Sequence, residues 1–229
     1  MLTVNAASGF GSGGGAGGLA TVTYIGEHNA PTGTTFTVSG ASIGDAADDR
    51  IVVLCINGIT NDSRTVSSAT IGGVGTAEQV GISGAGCENN AFIHSLLVTS
   101  GTTADIVVTF SGAVGKFGLA VYNVNGTTNA TASDTAANNA ASPGATIDLT
   151  LTIPANGVSI ISYGDADISP ALVSYSSFDE DHDTVFGTYY HHSSASRATE
   201  SLLTEHTETI TPATAPDGIG TCAAAWGPA

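Results

Sequence analysis

Apolar residues in this chain alternate with Thr, Ser and Asp over short runs, and the runs are separated by Gly, Asn, Asp and Pro. The clearest run is Thr146–Ile153. There Ile147, Leu149, Leu151 and Ile153 fall on one side and Thr146, Asp148, Thr150 and Thr152 on the other, the period of two that marks a half-buried strand. Ile51–Ile56 (IVVLCI) is continuously apolar and predicts a central strand covered on both faces. Further strands are predicted at Thr21–Ile25, Thr34–Val38, Val66–Ile71, Ala91–Val98, Ile106–Phe110, Phe117–Val124, Val158–Tyr163, Leu172–Ser176, Val185–His191, His206–Ile210 and Cys222–Trp226. No run sustains a 3.6-residue period. The pattern predicts an all-β chain, an antiparallel β-sandwich of jelly-roll type.

Two segments interrupt it. Residues 8–18 read SGFGSGGGAGG, too glycine-rich for a regular element, so residues 1–20 are expected to form a flexible arm. Phe10 is the bulky side chain of that run. Flanked by Gly11, Gly13 and Gly14, it suits an anchor on a neighbouring subunit or on a larger particle, because glycine lets the backbone approach closely. Residues 126–144 are polar and predict a long loop, with strands of the same character on both sides. A single domain over residues 21–229 is therefore expected.

Charge narrows the function. One Lys and three Arg (Lys116, Arg50, Arg64, Arg197) face 20 acidic residues, a formal net charge of −16. Neutralising phosphates needs clustered bases, so nucleic acid and anionic membranes are not expected as partners. No stretch is predicted to cross a membrane and no signal peptide is read at the start. Cys55, Cys87 and Cys222 are widely spaced and odd in number, as expected of buried, reduced thiols in a protein assembled in a cytoplasm.

Candidate chemistry is sparse. Gly40-Ala-Ser42-Ile-Gly44 matches the G-x-S-x-G string of serine hydrolases, but that motif needs a strand-to-helix elbow, and a strand follows here. Catalytic residues are therefore expected to be none. Asp179-Glu180-Asp181-His182-Asp183 is the densest ligand set; no cofactor is required, though as an exposed loop its Asp179, Asp181 and Asp183 oxygens would suit calcium. His191 and His192 are adjacent on a predicted strand and should face opposite ways, so a zinc set would need His182, His191 and His206 to converge. Tyr175, Tyr189 and Tyr190, with Phe178 and Phe186 nearby, are the candidate surface for a receptor or subunit, since aromatics with polar tips favour interfaces. Trp226 reads as core. A carbohydrate-binding module, with calcium in the acidic loop beside these tyrosines, is the alternative function. Arg50 follows Asp48 and Asp49, so an Arg–carboxylate bond is expected to pin the entry to the strand at Ile51, and Gly72-Gly73 supply a tight hairpin.

ASIGDAADDRIVVLCI (41–56), RTVSSATIGG (64–73) and TSGTTADIVVTFSG (99–112), with AAAWGP at 223–228, together resemble a group of all-β virion proteins of tailed bacteriophages. The resemblance covers about residues 34–124 and the C-terminus. It implies a non-enzymatic, particle-associated structural protein, located in the virion. An outward-facing capsid decoration or head fibre is favoured over a tail fibre or other tail component that contacts a host receptor. The implied partners are other virion proteins and copies of the chain itself, a trimer favoured, with a host surface glycan as a further candidate.

Overall fold

The computed structural model describes residues 18–60, 62–83, 89–127, 129–140, 146–166, 172–187, 190–213 and 218–229. Among them are fifteen strands and no helix. The first sheet is built from β1 (Thr21–Ser42), β2 (Ile51–Ile59), β3 (Val66–Ile71), β4 (Val74–Gly75), β5 (Ala77–Ile82), β6 (Asn89–Leu97) and β7 (Thr103–Asn125). Its order is β4-β3-β7-β2-β6-β5, with β1 also on β7. The second sheet takes β8 (Asp134–Ala140), β10 (Gly157–Ala166), β12 (Asp179–Val185), β13 (His191–Thr199) and β15 (Gly218–Trp226), in the order β12-β13-β10-β15-β8. The third takes β9 (Ile147–Ile153), β11 (Val173–Tyr175) and β14 (Leu203–Pro212), in the order β11-β14-β9. All pairings are antiparallel. The expected all-β, antiparallel character is therefore present.

Burial explains the order of the layers. β2 is covered on both faces, as its continuous apolar run predicts. Val52, Leu54 and Ile56 pack with Phe36, Phe110 and Phe117 on the inner face of the first sheet, where Phe36 stacks on Phe117 at 4.3 Å. Ile51, Val53 and Cys55 face the second sheet and meet Val158, Ile160, Cys222, Ala224 and Trp226. On the far side of the second sheet, Ile161, Ala195, Ala223 and Ala225 pack against Ile147, Leu149, Leu151 and Ile153 of β9. Trp226 is in the core as expected, its indole N–H donating to the Ala130 carbonyl at 3.1 Å. The sheets come close because the facing residues are small: a Cβ at Gly220 would lie 2.7 Å from the Asn89 carbonyl oxygen.

Several expected boundaries move. The two strands predicted within 21–38 are one strand, β1, and those within 106–124 are one strand, β7; both bend at register shifts, such as that between Gly33 and Thr35, where bulges absorb the glycines that suggested breaks. β8 lies inside the predicted 126–144 loop, held by pairing with β15 where no periodicity announces it. Residues 179–183, expected as an exposed loop, form most of β12, and the strand predicted at 185–191 straddles the end of β12 and the start of β13. Gly72 and Gly73 have φ of 58° and 80° and join β3 to β4, the hairpin expected of them. Phe10, Gly11, Gly13 and Gly14 of the glycine-rich arm lie outside the described residues.

Arg50 corrects a further expectation. It is fully buried, yet its partners are backbone carbonyls and not the adjacent carboxylates. Nε donates to Val98 O (2.7 Å), Nη1 to Gly44 O (2.7 Å) and Gly101 O (2.9 Å), and Nη2 to Ser100 O (2.8 Å). Asp49 instead accepts from the Gly126 N–H at 2.9 Å. One guanidinium thus ties the entry of β2 to the turn before β7, because its planar fork carries five donors. Arg50→Met should cost at least about 3 kcal/mol in urea unfolding by stranding these carbonyls, and Arg50→Lys should recover less than half of it.

His94 on β6 is buried, with Nδ1 3.0 Å from Thr76 Oγ1 and Nε2 left without a hydrogen bond. Burial lowers its pKa to about 4. The unfolded chain therefore binds a proton that the folded chain refuses. The stability contributed is present above about pH 6.5 and is lost as pH falls from there towards 4. His94→Gln should make the stability profile less steep over that window, read by denaturant titrations at a series of pH values.

Candidate functional site

β13 runs between the other two sheets and turns successive side chains to opposite faces. His191, Ser193 and Ala195 face the third sheet; His192, Ser194 and Ser196 face the first. The adjacent histidines therefore part, as strand geometry requires, and build two different environments.

On the third-sheet side, His191 is fully buried between two carboxylates. Nδ1 lies 3.0 Å from Asp165 Oδ2, and Nε2 is hydrogen-bonded to Asp183 Oδ1. Burial alone would lower its pKa, but the hydrogen bonds and charges of the two aspartates outweigh it and raise the imidazole to about 9. His191 is thus an imidazolium at neutral pH. Tyr163 completes the cluster by donating to Asp165 Oδ2 at 2.7 Å.

On the first-sheet side, His182 of β12 and His192 of β13 meet Glu27 of β1. Glu27 Oε2 is 3.6 Å from His182 Nε2 and 3.7 Å from His192 Nε2, and His182 Nε2 is 3.1 Å from His192 Nδ1. The ligand-type atoms of the three residues lie within 4.8 Å of one another. Tyr24 stacks on His182 and Tyr190 on His192, the ring planes 7° and 9° from parallel, which fixes both imidazoles. His182 Nδ1 is 2.6 Å from Ser194 Oγ, Ser194 is hydrogen-bonded to the Tyr122 hydroxyl, and that hydroxyl donates to Asp181 Oδ2 at 3.0 Å. Burial pushes the His182 pKa down to about 4 and that of His192 well below its ordinary value, where the charges of His182 and His191 lower it further. Both imidazoles are neutral at pH 7. A groove of about 600 Å³ along β1, lined by Glu27, Asn29, Phe36, Val38 and Phe117 among others, reaches this cluster through Glu27.

The structure redistributes the residues singled out in the sequence. Asp179, Asp181 and Asp183 do not share one face: a register shift between Glu180 and His182 sends Asp181 to Tyr122 and Asp183 to His191 and the Val173 N–H. Two of the three proposed calcium ligands are thus committed to different protein donors. His206 belongs to β14, 2.9 Å from Ser177 Oγ, so the convergence of His182, His191 and His206 that a zinc set would need is not found; His182 pairs with His192 instead. Tyr190, expected at a surface, is fully buried. Tyr175 is half-buried with its hydroxyl 2.9 Å from Ser193 Oγ, and Tyr189 lies outside the described residues. Phe186 lies under Lys116, 4.8 Å from ring centroid to Nζ. Ser42 ends β1 with no helix after it, so no nucleophile elbow forms. Glu27 escaped the sequence reading, being one acid in an ordinary alternating strand far from the histidines in the chain.

No family model matches this chain, and no curated protein is detectably related to it.

Gly118 on β7 makes room for the cluster. A Cβ there would lie 2.9 Å from His192 Cγ and would also strike the Tyr190 hydroxyl, both on side chains held rigid by stacking. Gly118→Ala should therefore destabilise the protein by about 2 kcal/mol. Gly75→Ala, where nothing lies within 4 Å of a new Cβ, should stay within about 0.5 kcal/mol of the parent in the same denaturant titration.

Proposed function

We propose that this chain is a non-enzymatic structural protein of a tailed-phage particle, carried outside the capsid as a decoration or head fibre and folded as a jelly-roll-like sandwich. The observation that carries the reading is the edge of β1. This strand has 22 residues where strands average about 5–6, and among the described residues it pairs with β7 alone. A long unpaired edge offers a row of N–H and C=O groups to a strand from another molecule, and monomeric proteins tend to shorten or cover such edges. β1 also follows directly on the glycine-rich segment with Phe10, so one copy's arm and the next copy's edge are natural partners in a homo-oligomer. Many such contacts repeated over a lattice would hold the chain by avidity.

The segments that carry the resemblance to virion proteins also support it by forming one unit. Arg50 of the DDR string grips the turn at Ser100 and Gly101, and the strand of the TIGG string pairs with that of TADIVVTF, Ile71 opposite Ile106.

The test is quantitative peptide mass spectrometry on gradient-purified particles. The chain is expected at a copy number comparable to that of the major capsid protein, and removal of residues 1–18 is expected to abolish attachment. Absence of the chain from particles would overturn the proposal.

A further inference from the structure

The hydrogen-bond chain behind His182 fixes its tautomer. Tyr122 gives its proton to the Asp181 carboxylate, so its oxygen accepts from the Ser194 hydroxyl. Ser194, its own proton spent, accepts from His182 Nδ1–H. Nε2 of His182 is then a bare lone pair. His192 can bond to it only through Nδ1–H, which leaves Nε2 of His192 bare as well. That nitrogen and Glu27 Oε2 are both buried atoms without a hydrogen-bond partner, and the His192 side chain is 0% exposed. Two buried acceptors thus face each other with no donor, and the third, His182 Nε2, has only the Nδ1–H of His192. Buried acceptors left unpaired are unfavourable, so the site calls for a cation.

We propose that Glu27, His182 and His192 bind a divalent transition-metal ion, zinc before others, that fastens β1 of the first sheet to β12 and β13 of the second. Two imidazoles and one carboxylate form a zinc donor set, whereas calcium and magnesium take oxygen ligands. Bonds of about 2.0–2.2 Å place tetrahedral ligands about 3.4 Å apart; Glu27 Oε2 stands 3.6 and 3.7 Å from the two nitrogens, the three ligand atoms lie within 4.8 Å of one another, and the metal would replace the His182–His192 hydrogen bond. Ser194, Tyr122 and Asp181 form the outer shell that holds a ligating histidine in its tautomer. The histidines are 7% and 0% exposed and Glu27 31%, so the fourth corner opens beside Glu27 and takes a water. The site stands on these side chains alone and is independent of the particle to which the chain belongs.

The experiment uses the purified full chain. Plasma mass spectrometry after dialysis should find about one zinc per chain. Chelator-stripped protein titrated with zinc should rise in melting temperature by at least ~5 °C, and cobalt(II) in its place should give the intense visible bands of a tetrahedral site. Glu27→Gln and His182→Gln should each weaken zinc binding at least ~100-fold. His206→Gln, on β14, should leave it unchanged. Circular dichroism without metal establishes that each variant is folded. Failure of the parent protein to bind zinc or cobalt at micromolar concentration, or unchanged affinity in folded Glu27→Gln and His182→Gln variants, would overturn the proposal.

Discussion

The second sheet is covered on both faces, and the residues of its central strands follow from that double burial. Every residue of β10 and of β15 is buried, so neither strand has a side to give to solvent. Bulk on both sides would push the layers apart, and the sequence there runs to Ala223-Ala224-Ala225, Ser159, Ser162, Gly164 and Gly220, with Trp226 at one end. Buried hydroxyls are answered locally: Ser159 donates to the Ala224 carbonyl and Ser162 to Asn57 Oδ1. The layer is thin because its side chains are short.

At one end of this layer apolar packing gives way to charge. In a chain with four Lys and Arg and 20 acids, basic side chains are scarce, and histidine takes over part of their task. His191, raised towards 9 by Asp165 and Asp183, acts as a buried cation on one face of β13, while His192 on the other face is kept neutral. Neighbours in sequence thus carry opposite protonation states a strand's thickness apart. Arg50 meets a different need, since with four donor contacts to carbonyls it closes turns instead of balancing charge. This sets it apart from Arg64, which pairs with exposed Asp62.

Sequence was a good guide wherever side-chain period and burial agree. The alternation of residues 147–153 appears as β9 with the burial the pattern requires, and IVVLCI lies in a strand covered on both sides. It failed where long-range pairing decides. β8 is made of Asp, Thr, Ala and Asn, with little of its own to favour a strand, and exists because β15 lies beside it. The acidic run at 179–183 became a strand for the same reason, and the register shift within it, invisible in the sequence, separated Asp181 from Asp183. The candidate site was half legible: the histidines stood out by type, while Glu27 gained its meaning only when β1 folded along β7.

The division of the chain between sheets bears on its synthesis. The first sheet is made wholly of residues 21–125, and the second and third of residues 134–226. A ribosome delivering this chain at about 5–20 residues per second therefore completes the first sheet several seconds before the strands that cover it exist. During that interval Ile51, Val53, Ile93 and Val124 form a greasy outer wall on a nascent domain, and crowded polysomes would let two such walls meet. The low basic and high acidic content of the chain, which does little for the packed core, then works as mutual repulsion between unfinished copies.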